Sequence, residues 1–204
     1  LDPHLSHSTR SCVEFRHIQS RSCQLAPVEI RRLSGTTDAV QRFVEELWIP
    51  YHEELGRIVD RHELAQDAAV IEAETQHRVD LLQEEDQQIW IAIDAPPDEI
   101  GTATTIAEID ETLIGFISTD IETSPVVFNH PQQLVIGDIY VCPAYRGEGL
   151  PRALVGVAKQ RALDEGCAEV ALDVDQENDG AIAFYEELGF NPIRQRMVID
   201  VDEP

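Results

Sequence analysis

The stretch Leu134-Val-Ile-Gly-Asp-Ile-Tyr-Val-Cys-Pro-Ala-Tyr-Arg-Gly-Glu-Gly-Leu-Pro-Arg-Ala-Leu-Val-Gly-Val-Ala158 decides the fold. Its first half is a nearly continuous apolar run, the pattern of a strand buried inside a sheet. Pro143 ends that run. Leu150, Ala153, Leu154, Val157 and Ala158 then recur at three- and four-residue spacing, which predicts one buried face of a helix. Between strand and helix lie Arg146, Gly147, Glu148, Gly149, Leu150, Pro151 and Arg152. Successive N–H groups in such a turn, joined by those of the first helical turn, form a nest for phosphate oxygens. Gly147 and Gly149 allow close backbone approach, and Arg146 and Arg152 add charge from the flanks. A plain strand–helix turn is the alternative reading of the same residues.

Signals on either side extend this unit. Val28–Leu33 alternates as a strand, and Thr36, Thr37 and Asp38 offer starts for a helix that Pro50 is expected to interrupt. Residues 51–64 and 67–85 carry helical periodicity, and 88–94 and 112–121 read as strands. Whether 102–110 is strand or loop is left open, and 124–133 reads as a loop. After the central helix, Gly166 marks a stop, and Ala168–Val174 alternates as a strand. Gly180–Leu188 is a short helix ended by Gly189, and Asn191–Val201 is expected to supply a last strand. The alternation of strands and helices predicts an α/β (α+β) arrangement around a largely buried sheet.

Bulk properties narrow the partners. The 204 residues suit one domain, and no apolar run reaches the length of a membrane span. Acidic residues number 39 against 15 basic ones, Lys159 is the sole lysine, and the formal net charge is -24. Such a chain repels phosphate backbones and anionic lipid, so neither nucleic acid nor membrane is an expected partner. The acids are spread through the chain, which fits a surface built for molar salt and a salt-loving host. The first residues lack a secretory core, and a cytoplasmic location is expected. Cys12, Cys23, Cys142 and Cys167 form no paired motif, so no metal is expected and reduced thiols are the plain reading. Residues 1–26 differ from the rest: three arginines face two acids, and His4, His7 and His17 crowd there. They are expected to form a disordered extension, leaving 27–204 as a single domain.

Two motifs in order resemble the GNAT N-acetyltransferase superfamily. Its signature of a strand, Arg or Gln, two residues, Gly, one residue, Gly or Ala, then a helix is similar to Arg146–Pro151, with Pro151 departing at the last position. Its second element, an Asn and then a helix bearing Tyr before Gly-Phe, resembles Asn178 through Tyr185 to Gly189-Phe190. The match covers roughly 134–200. The resemblance implies a mixed central sheet whose fourth and fifth strands splay apart, flanked by helices. It also implies that acetyl-CoA is the cosubstrate, held through Ile139, Tyr140 and Val141 on the strand, through 146–152, and through Asn178, with its diphosphate in the turn.

By the same resemblance a primary amine attacks the thioester directly in a ternary complex, and Tyr185 protonates the departing thiolate. The position of the family's histone-type Glu is Val135 here. Of the polyamine-type acidic pair only the second acid survives, as Asp138 after Gly137, so Asp138 is a base through water, an attractor of a cationic amine, or a structural acid. The acceptor is a small molecule or a protein amine, and a homodimer is left open. A degenerate acyl-CoA-binding sensor or scaffold is the alternative, supported by Pro151 and Val135. Helices between Thr36 and Glu85 are expected to set acceptor specificity.

Overall fold

In the computed structural model, residues 28–65, 69–96, 105–123, 127, 131–199 and 201 are described. The expected extension at 1–26 lies outside them. Strand β1 (Glu29–Arg32) is followed by α1 (Thr37–Phe43), which continues through a π turn (Val44–Trp48) into α2 (Ile49–Leu55). A 3-10 turn (Asp60–His62) leads towards α3 (Val70–Leu81). Then come β2 (Gln87–Ile93), β3 (Leu113–Glu122), β4 (Gln133–Val141), α4 (Leu150–Asp164), β5 (Glu169–Leu172) and α5 (Asp179–Glu187). Within the described part of the 102–110 stretch, residues 105–110 form turns rather than a strand.

The sheet has the order β1-β2-β3-β4-β5, antiparallel except for the parallel β4–β5 pair. It is mixed and covered on both faces, as the strands' apolar content predicts. Ile89, Ile91 and Ile93 of β2 pack with Phe43, Leu47 and Trp48 on one face. Ala92, its neighbour in sequence, points to the other face with Ile117, Leu134, Leu150, Leu154 and Ala158. This period-two division divides the core between the α1–α3 layer and α4. Arg161 fastens α4 to the sheet from inside. It is 5% exposed and donates to the Thr119 carbonyl at 3.0 Å, the Thr119 hydroxyl at 2.7 Å and the Asp86 carbonyl at 2.7 Å.

Two expectations are corrected. Pro50 does not interrupt the helical run, because the π turn precedes it: the Ile49 N–H reaches back to Val44 O, and the run absorbs a residue without an N–H. Asn191–Ile199 has no regular structure, and Ile193, Met197 and Ile199 are 85%, 89% and 85% exposed. Alternation in that segment describes a face, but a strand also requires an edge to pair with, and no ladder forms there. Among the described residues no helix is long and apolar enough to cross a membrane.

Candidate functional site

The central feature is a break in β4. Ile117 pairs with Ile139 and Thr119 with Ile136, so Gly137 and Asp138 together oppose the single residue Ser118. That is a β-bulge, which bends its strand and increases local twist. A Cβ at the first bulged position would lie 2.9 Å from Ser118 Oγ, so a larger residue there would force that hydroxyl to move. The Asp138 N–H donates to the same Oγ at 2.7 Å and holds the bulge in place. Pairing with β5 ends at Ile136–Leu172, one residue before the bulge, while β4 runs on to Val141. From Gly137 onward, β4 and β5 therefore separate, and Ile139, Tyr140 and Val141 border the opening.

Beyond β4, Pro143–Tyr145 makes a 3-10 turn and the backbone then crosses into the left-handed region twice, at Gly147 (φ 83°) and Gly149 (φ 91°). Only glycine adopts those angles without strain. Nothing lies within 4 Å of where a Cβ would stand on either residue, so open space fronts both. Gly149 caps α4, and Ala153 N–H to Gly149 O at 3.1 Å is the first bond of the helix. By helix geometry the amides of Leu150 and Arg152 have no acceptor within it, and Pro151 between them has none to offer. A diphosphate fits this arrangement of free amides, open space and positive helix end. Leu150 is buried and anchors the turn, while Glu148 is exposed.

Both flanking arginines have acidic partners within the chain. Arg146 donates through Nε to Val141 O at 2.8 Å and through Nη2 to Glu54 Oε2 at 2.6 Å, and its guanidinium lies 5.6 Å from the Tyr140 ring centroid. Tyr140 donates to the other oxygen of Glu54 at 2.9 Å. Burial favours the neutral acid at Glu54, but the hydrogen bonds from Arg146 and Tyr140 outweigh it and hold the carboxyl below its ordinary range. Arg146 thus ties α2 to the end of β4. Arg152 forms an exposed pair with Glu187 at 2.7 Å.

Tyr185 projects from α5 and is 8% exposed, packed beside Phe184 and Phe190. Burial, and secondly the charge of Asp138, push its phenol up to about 12, so it is a neutral hydroxyl throughout the working pH range. Asn178 caps α5: its Oδ1 accepts the Ala181 N–H at 3.1 Å. Asp138 is held by Arg78 Nη2 at 3.3 Å, and nearby Tyr51 has its ionisation pushed far up by burial and then by Asp138. Arg78 also donates to Glu74 at 2.5 Å. Tyr51 packs against Tyr140, with ring centroids 5.8 Å apart, so α2 meets β4 close to the bulge.

Sequence reasoning did not find Tyr51, His52, His62, Arg78 or Asp175. His52 stacks on Trp48 (ring centroids 4.2 Å apart) and Tyr51 (4.7 Å), and lies 6.2 Å from His62. His62 Nε2 is 2.8 Å from Asp175 Oδ2. Which polar residues of the helical region face the sheet depends on tertiary packing, so no local signal in the sequence singled them out.

Comparison with known proteins places this geometry. The family model of the acetyltransferase (GNAT) family matches residues 60–190. The chain is 34% identical over 124 residues to mycothiol acetyltransferase of Kocuria rhizophila, covering 59% of this chain and 36% of that one. It spans less than half the length of the first curated relatives it matches. Among solved structures, a tetramutant of the BH1408 protein from Bacillus halodurans superposes with a TM-score of 0.64 at 17% identity, covering 85% of this chain and 99% of that one. Aminoglycoside N-acetyltransferase AAC(6')-Iy in complex with CoA does so with a TM-score of 0.57 at 17% identity, covering 86% and 95%. With the family model spanning most of the chain and both solved structures sharing its fold, the chain belongs to the acetyltransferase (GNAT) family.

Proposed function

We propose that this chain is an N-acetyltransferase that moves the acetyl group of acetyl-CoA to a primary amine by direct attack in a ternary complex. The observation that carries the reading is the placement of two left-handed glycines and the free amides of α4 directly after a β4 edge that β5 has left. A diphosphate held at this turn would lie beside a free backbone edge, which supports the reading. Acetyl-CoA supplies an acyl group on a good leaving group. The protein's share is to orient and to manage charge. The amides of Leu150 and Arg152 hold the diphosphate, and the free edge of Ile139, Tyr140 and Val141 aligns the pantetheine arm. A backbone N–H near Val141 stabilises charge developing on the acyl oxygen. Tyr185, neutral and buried, donates to the departing sulfur. Asn178 contributes by fixing the start of α5.

The acceptor is proposed to be a cationic amine. Asp138 on the β4 bulge and Glu74 on α3 gather around Arg78, and a structural neighbour is an aminoglycoside N-acetyltransferase. Asp138, already paired with Arg78, attracts and positions the ammonium. The acidic, lysine-poor composition supports a high-salt cytoplasm as the setting. The rival reading, an acyl-CoA sensor without turnover, draws on Pro151 and Val135. Following CoA thiol release from acetyl-CoA with spermidine, kanamycin and a dipeptide in concentrated KCl separates the two. Amine-dependent release is expected; binding of CoA with no release from any amine supports the sensor.

A further inference from the structure

An attacking amine must shed a proton, and Asp138 is poorly placed to take it. Its carboxylate already accepts from Arg78 Nη2 at 3.3 Å. The same cluster contains two imidazoles that the mechanism above does not use. His52 sits on α2 against Tyr51 and Trp48, and the Arg78 that pairs with Asp138 lies over the Trp48 ring, 5.9 Å from its centroid. His62 follows 6.2 Å away on the 3-10 turn, and its Nε2 is 2.8 Å from Asp175 on the β5–α5 loop. The side chains of His62 and Asp175 are 36% and 41% exposed, so this end of the row meets solvent. The row therefore runs from the Asp138 cluster to the surface through two imidazoles, side chains that can both accept and give a proton.

Building on the acetyl-transfer reading, we propose that His52 takes the proton of the acceptor ammonium and that His62, held by Asp175, passes it to solvent. In that step an N–H bond of the ammonium breaks, its electron pair stays on the amine nitrogen, and a new N–H bond forms on the His52 ring. The imidazolium is discharged through His62, and no other reactant is consumed. The groups facing His52 are Trp48 and Tyr51 on its own helix, His62, Asp138 on β4, and Arg78 and Glu74 on α3. Burial foremost, then His62 and Arg78, lower its proton affinity, while Asp138 and Glu74 raise it; the balance keeps the ring neutral and able to accept.

The test is kcat over pH for the full chain and for His52→Gln, His62→Gln and Asp175→Asn, with acetyl-CoA and with spermidine, kanamycin or a dipeptide as acceptor. His52→Gln is expected to lower kcat about 100-fold at pH 7, the low end of general-base effects. His62→Gln and Asp175→Asn are expected to lose about 10-fold. Each deficit should close as pH approaches the amine's own pKa, where no base is needed, and CoA affinity should hold. A deficit constant with pH, or none, overturns the proposal while leaving acetyl transfer intact. No thiol release by the parent protein with any of these amines overturns both. Should His52→Gln fail to fold, the exposed pair His62 and Asp175 carries the same pH readout.

Discussion

Replacing Tyr185 by Phe removes one oxygen from the heart of the proposed mechanism and little else. The hydroxyl has no hydrogen-bond partner among the described residues, so its loss breaks no bond of the folded chain, and Phe keeps the ring packed between Phe184 and Phe190. Stability should stay within about 0.5 kcal/mol of the parent. The catalytic loss follows from the phenol's raised value of about 12, set by burial and Asp138. An ordinary thiol lies near 8.5, so complete transfer of the Tyr185 proton to sulfur is uphill. Tyr185 then acts chiefly as a hydrogen-bond donor to developing negative charge. Such a bond contributes about 1.5–3 kcal/mol, which is roughly a 10- to 150-fold fall in kcat at 1.36 kcal/mol per tenfold. The assay is thiol release at saturating acetyl-CoA, with CoA affinity from calorimetry. Unchanged turnover would refute the reasoning, and so would a fall in kcat matched by an equal loss of CoA affinity, since that pattern belongs to packing.

Gly149→Ala places a Cβ on a left-handed residue and should cost about 1–2 kcal/mol of stability in thermal unfolding, together with a measurable loss of CoA affinity. Pro151→Gly restores one amide, and calorimetry should show CoA affinity changed by less than about 10-fold, the size of one modest hydrogen bond. Burial, the largest cause, lowers the His52 value below its ordinary 6.5, so the unfolded chain binds that proton first as pH falls. Its share of stability is complete above 6.5 and shrinks on descent towards the folded value, so the melting temperature should drop more from pH 7 to 5 in the parent than in His52→Gln. With a net charge of -24, the chain should melt higher in molar KCl than in dilute buffer; a fall in melting temperature with salt would count against a salt-adapted surface.

Much of the site-bearing half was legible because its signals are local. The apolar run of β4, the two glycines and the periodic face of α4 each declare themselves within a few residues, and each stands where expected. What escaped depends on partners distant in sequence. The bulge at Gly137-Asp138 exists only against Ser118, and the spacing of Ile136 and Ile139 does not announce it. The π turn ahead of Pro50 is a compromise between a continuous buried face and a missing N–H. Arg146 looked free to meet an anion because Glu54, its partner, lies 92 positions away in the chain. His62 and Asp175 are separated by 113 positions, so their pairing had no sequence signal at all. Met197, Ile199 and Val201 alternate well, but no described strand pairs with that segment.

Everything chemical above requires that main-chain amides at the head of α4 grip a diphosphate. Calorimetric titration of the full chain with CoA, and separately with pantetheine, which lacks the diphosphate, measures that grip directly. Saturable heat with CoA and binding at least 10-fold weaker with pantetheine is the predicted result. Equal affinity for the two, or no heat from CoA in concentrated KCl, would contradict it.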